Sequence, residues 1–97
     1  MADSYIKRPR FRLNVKLSST SDCDDCRNQN EAYYWDFGGG TPANAPNGVG
    51  AGEMVCFSLP FGTLQVAKNY NTAIYFYARV YYGGAWGTWF KFSGTTA

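Results

Sequence analysis

The sequence predicts an all-β domain, a small antiparallel sandwich or barrel of about six strands. Three observations predict it. Short runs of alternating apolar and polar residues recur along the chain, and Gly, Pro and Asn punctuate the intervals between them. No segment sustains the 3.6-residue period of an amphipathic helix.

The clearest strand is "FRLNVKL" at 11–17, where Phe11, Leu13, Val15 and Leu17 alternate with Arg12, Asn14 and Lys16. Residues 1–10 have no period and carry Pro9, which predicts a flexible basic arm ahead of a single domain at 11–97. "SSTSDCDDCRNQNE" at 18–31 is a polar, acidic loop, and "AYYWDF" at 32–37 a second strand. The stretch "TPANAPNGVGAGEM" at 41–54 then holds two prolines, two asparagines and three glycines. Pro42 and Pro46 withhold backbone donors while Gly48, Gly50 and Gly52 open conformations closed to other residues, so an ordered loop is expected here. "EMVCFSL" at 53–59 and "TLQVA" at 63–67 are the third and fourth strands, the latter ending in a "KNYN" turn. The longest strand, "TAIYFYARVYY" at 72–82, pairs with "GTWFKFS" as a hairpin across "GGAW". Its period sorts Ile74, Phe76, Ala78 and Val80 onto one face, read as core. Tyr75, Tyr77, Arg79 and Tyr81 fall on the other, read as a recognition surface.

Composition narrows the function. A chain of 97 residues buries roughly 60 to 65% of its unfolded surface, so an aromatic content of 19% exceeds what one small core can hide. Self-association, expected as a homotrimer, would cover the surplus. A formal charge of +2 is too weak to gather nucleic acid or an anionic membrane by its field alone, and no apolar run reaches the length of a membrane span. The opening residues lack the apolar centre of a secretory signal, and three cysteines cannot all pair within one chain. Synthesis in a cytosol and free thiols are therefore expected.

Catalytic signals are weak. With no histidine, a nucleophile would need Lys or Asp as its base, and no Ser or Cys lies in an activating context. Asp36 and Glu53 flank the Pro/Gly loop as a conceivable glycosidase pair. "DCDDC" at 22–26 offers CxxC spacing without a second half, so a solvated acidic loop is the expectation and a metal site using Asp22, Asp24 and Asp25 the alternative. "KRPRFR" at 7–12 is read as a solvated arm for an acidic neighbour. No catalytic residue, metal or cofactor is expected.

The Asn44, Ala45, Pro46 turn, together with a closing hairpin that carries Tyr77, Arg79, Gly84, Trp86 and Trp89, resembles the C-terminal knob module of phage tail fibres and R-type pyocin fibres. The resemblance spans about residues 32–93. It implies a compact β fold and a non-enzymatic virion fibre or spike component, commonly trimeric, that meets other virion proteins or a host surface glycan or envelope protein. The chain departs from fibre tips that thread metal through histidine repeats, since it has none. Tyr81, Tyr82 and Trp86 at the hairpin, with Asn44 and Asn47 in the loop, are expected to form an outward binding surface: rings stack on sugar faces while amides bond hydroxyls. For Trp86 the competing expectation is an inward position against Trp89 and Phe90. The alternative function is an OB-like barrel that stacks single-stranded nucleic acid on its aromatics.

Overall fold

The computed structural model describes residues 12–27, 30–71, 75–94 and 96. The expected arm at 1–10, Phe11 and Ile74 lie outside the described residues. The chain is all-β, with no α-helix among the described residues. Among the described residues seven strands run in order: β1 (Arg12–Lys16), β2 (Glu31–Trp35), β3 (Gly52–Leu59), β4 (Gly62–Asn69), β5 (Tyr75–Tyr82), β6 (Ala85–Trp86) and β7 (Phe90–Ser93).

They form one open sheet in the order β1-β2-β3-β4-β5-β6, with β7 also paired to β5. All pairings are antiparallel except β1 with β2, which is parallel. A parallel pair needs a long crossover, and the polar residues between the two strands provide it without a helix. Asn14, with φ of 60°, breaks the β1 register between Arg12 and Val15.

The second layer is made of loops. A short 3-10 turn at Cys23–Asp25 and the Pro/Gly loop lie over one face of the sheet, joined to each other by a bridge from Asp22 to Ala43. Cys23 N donates to Ala43 O, and Ala43 N to Ser21 O, at 2.9 Å each. Trp35 Nε1 donates to Val49 O at 3.2 Å, so the Pro/Gly loop is ordered by side-chain and backbone bonds instead of a ladder. Asn44 adopts φ of 60°, the left-handed region that asparagine tolerates. The core beneath gathers Leu17, Cys23, Cys26 and Val49 from the cover with Tyr33, Trp35, Met54, Cys56 and Ala67 from the sheet.

This placement reverses one expectation. Strand register puts Tyr75, Tyr77, Arg79 and Tyr81 on the covered face, aligned with Ala67, Gln65 and Thr63 of β4. Phe76 and Val80 are exposed at 45% and 48%, on the face read from sequence as core. Alternation identifies two faces of a strand, but only the loop cover decides which is buried. The acidic loop is likewise a folded cap and not a solvated one, because Cys23 and Cys26 drop into the core. All three cysteines are free and buried.

Candidate functional site

The closing hairpin turns through Gly83 and Gly84, with φ of 66° and 85°, the left-handed pair that a two-residue hairpin turn demands. Beyond it, Trp86 faces Tyr81 and Phe90 faces Ala78, so the register moves by one residue between β6 and β7. That shift is a bulge around Gly87, whose N–H returns to Val80 O at 2.8 Å. In an unbroken strand Trp86 and Trp89 would point to opposite faces. The bulge brings both to the covered face, each within cation–π distance of Arg79.

Arg79 is 5% exposed and sits at the centre of a clasp. Its guanidinium lies 4.1 Å from the Trp86 ring centroid and 4.6 Å from that of Trp89. Nε donates to Gln65 Oε1 at 2.8 Å, and Nη1 lies 2.9 Å from Asp24 Oδ1, an ion pair without hydrogen-bond alignment. Gln65, fully buried, donates Nε2 onward to the carbonyls of Cys23 and Cys26 at 2.8 Å each. The indoles extend the network: Trp86 Nε1 donates to Asp24 O at 3.0 Å and Trp89 Nε1 to Asn44 O at 2.9 Å. Asn44 Nδ2 donates to Asp22 Oδ1 and Asp24 Oδ2. One arginine thus ties β4, β5, both cover loops and the hairpin together. Each ring contact contributes about 0.5 to 2 kcal/mol, and a charge this buried requires partners of this kind.

Beside the clasp lies a cleft of about 630 Å³, bounded by Asn44, Ala45 and Asn47 from the Pro/Gly loop and by Tyr77, Thr88, Trp89 and Lys91 from the closing strands. Tyr77 meets Tyr75 edge to face, and burial, then the neighbouring Tyr75, raises its hydroxyl pKa. Lys91 Nζ sits 3.9 Å above the Tyr75 ring. Tyr81 packs edgewise on Trp86 and under Arg27. Seven of the eight residues singled out from sequence therefore share the covered face or its loop: Asn44, Asn47, Tyr75, Tyr77, Arg79, Tyr81 and Trp86. Tyr82 does not; it is 72% exposed on the opposite face, one residue out of phase with Tyr81. Trp86 turns inward onto Arg79, whereas Phe90 stays exposed on the far face.

Sequence reasoning missed Gln65, Thr88 and Lys91, and named Asp24 only as a candidate metal ligand. Gln65 was readable only as an alternating polar residue, and Asp24 was one of several acids in a loop that looked solvated.

Compared with protein-family models, curated proteins and solved structures, the chain matches none.

The other chemical options find their groups engaged. Asp22 accepts from the Asn44 amide and the Asp24 N–H, which in that order hold its carboxyl below the usual range. Among the described residues no cluster of metal-ligating side chains forms. Asp36 accepts from Gly39 N–H and pairs with Lys16, which lowers its pKa, the wrong direction for a general acid. Glu53 pairs with Lys68 at 2.9 Å. Among the described residues, no helix is long and apolar enough to cross a membrane.

Proposed function

We propose that the chain is a non-enzymatic recognition module of a virion fibre or spike, which associates with copies of itself through its bare sheet face and turns the cleft outward to a host surface glycan or envelope protein. The observation that carries this reading is the segregation of the two faces. One bears Leu59, Phe76, Val80, Phe90 and Phe92, all exposed, and its Lys68 is neutralised by Glu53. An apolar field of this kind marks an interface, and the pairing of its Lys68 with Glu53 suits a second copy of the same chain. The other face carries amides, rings and a hydroxyl around a concavity, the equipment of a polar-ligand site. The tail-fibre resemblance supports the same reading, since its Asn-Ala-Pro turn and its Arg and Trp residues meet in one clasp.

Nucleic acid fits less well. Among the described residues the covered face offers few cations for a phosphate backbone: Arg79 is buried and paired with Asp24, and Arg27 and Lys91 are single charges over the Tyr81 and Tyr75 rings. A phosphate-tracking groove needs a row of them.

The test is adsorption of labelled protein to a panel of bacterial cells. Asn47→Ala, at an exposed rim position, is expected to abolish adsorption while melting and mass stay those of the parent. Equal adsorption by a folded Asn47→Ala protein would place recognition elsewhere.

A further inference from the structure

The cleft's unspent polar groups are unequal in kind, and the inequality names a ligand class. Trp86 and Trp89 have donated their N–H groups to backbone carbonyls, and the Asn44 amide donates to Asp22 and Asp24. Asp24, the one carboxylate among the described lining residues, is ion-paired with Arg79 through Oδ1 and accepts from Asn44 at Oδ2. What remains at the lining without a hydrogen-bond partner among the described residues is Asn47, Thr88, the Asn44 amide oxygen, the Lys91 ammonium and, buried, Arg79 Nη2 and Asp24 Oδ1, the last two groups ion-paired with each other. Lys91 is held only against the Tyr75 ring, a contact compatible with a further partner for its three donors. The one charge of the set without an internal counter-charge is therefore the Lys91 ammonium.

We propose that the cleft takes a carboxylate-bearing sugar, such as a uronic acid unit of an acidic surface polysaccharide, with Lys91 on the carboxylate and Asn47 and Thr88 on ring hydroxyls. This rests on the recognition reading above and specifies its ligand. Arg79 does not need to move: its charge is paired with Asp24 at the cleft wall, so Lys91 supplies the field that an anion meets. Tyr77 and Trp89 supply apolar wall for the sugar face. A neutral sugar would leave the Lys91 ammonium to water, whereas an acid satisfies it with a charge-assisted bond.

The experiment titrates the labelled full chain with tri-galacturonate and, separately, with its methyl ester, following backbone amide shifts by NMR. Tri-galacturonate is expected to shift the amides of Asn47, Thr88 and Lys91. Affinity should fall about tenfold for the ester and for Lys91→Gln, and return with Lys91→Arg, as loss and recovery of one charged hydrogen bond require. Lys91 is exposed, so these variants leave the clasp intact. If acid and ester bind the cleft equally, or Lys91→Gln binds like the parent, the acidic-ligand inference is overturned while glycan recognition stands. If neither saccharide shifts the cleft amides, the acidic-ligand inference is overturned; whether the recognition reading falls with it is then decided by the Asn47→Ala adsorption result.

Discussion

The two faces of the sheet carry similar numbers of aromatic rings and treat them in opposite ways. On the covered face each of the three indole N–H groups has a carbonyl, Arg79 donates to Gln65, and Trp35 is 1% exposed. On the bare face Phe76 and Phe92 stack on each other at 5.2 Å, and Phe90 stands 63% exposed. The difference teaches that aromatic content alone does not locate a core. Loops of modest hydrophobicity make one here, because they bring hydrogen-bond partners that allow Trp, Tyr, Gln and Arg to be buried together.

If the clasp organises the covered face, removing its centre produces the largest loss. Arg79→Ala strands the Gln65 acceptor, unpairs Asp24 and strips both indoles, and is expected to cost about 3 kcal/mol or more in a denaturant melt. Arg79→Lys is expected to recover little, since an ammonium cannot fork to Gln65 and Asp24 while lying flat between two rings. A variant as stable as the parent would reduce the clasp to an ornament of a sheet that holds itself.

Alkali sharpens the same comparison, because the titratable thiols all lie on the covered side. Burial first, then neighbouring thiols and carboxylates, pushes Cys23 and Cys26 up to about 12, and burial with Glu31 nearby pushes Cys56 up to about 11, from an ordinary value of 9.0. Tyr33 is raised too, by burial and by its bond to Glu31. Folded thiols keep their protons where unfolded ones lose them, so the contribution is whole below pH 9.0 and is lost progressively as pH rises towards 11 to 12. Melting temperature should fall across that window, and iodoacetamide should spare the native thiols at neutral pH. A flat melting profile through it would mean that the thiols meet solvent.

The smallest effect is expected on the bare face. Phe76→Ala should change the stability of the dilute monomer by about 1 kcal/mol, the loss of one ring stack on a half-exposed face. A loss comparable to that of Arg79→Ala would show that the bare face is core after all.

Much of the fold was legible because it depends on local rules. Alternation marked β1, β3 and β5, and Gly83 with Gly84 marked the last turn. The parallel pairing of β1 was not legible, since no helix advertises the crossover and the residues that make it are polar. The inversion of β5 has the same origin: Phe76 and Val80 look more core-like than Tyr77 and Arg79 until two loops are placed over the tyrosines. Of the site, Asn44, Arg79, Trp86 and Trp89 were visible as a motif. Their convergence on one guanidinium was not, because it depends on a one-residue bulge that strand periodicity cannot announce. Gln65 and Asp24 became meaningful only as the partners of Arg79.

The central claim is that the bare face is an interface between copies. Sedimentation velocity across micromolar concentrations, run on the parent and on a Phe76→Glu, Phe92→Glu double variant, tests it most directly. The account predicts a parent of about three times the chain mass and a folded, monomeric variant, because opposed carboxylates cannot be buried unpaired. A parent that stays monomeric throughout, or a variant that assembles as the parent does, would contradict it.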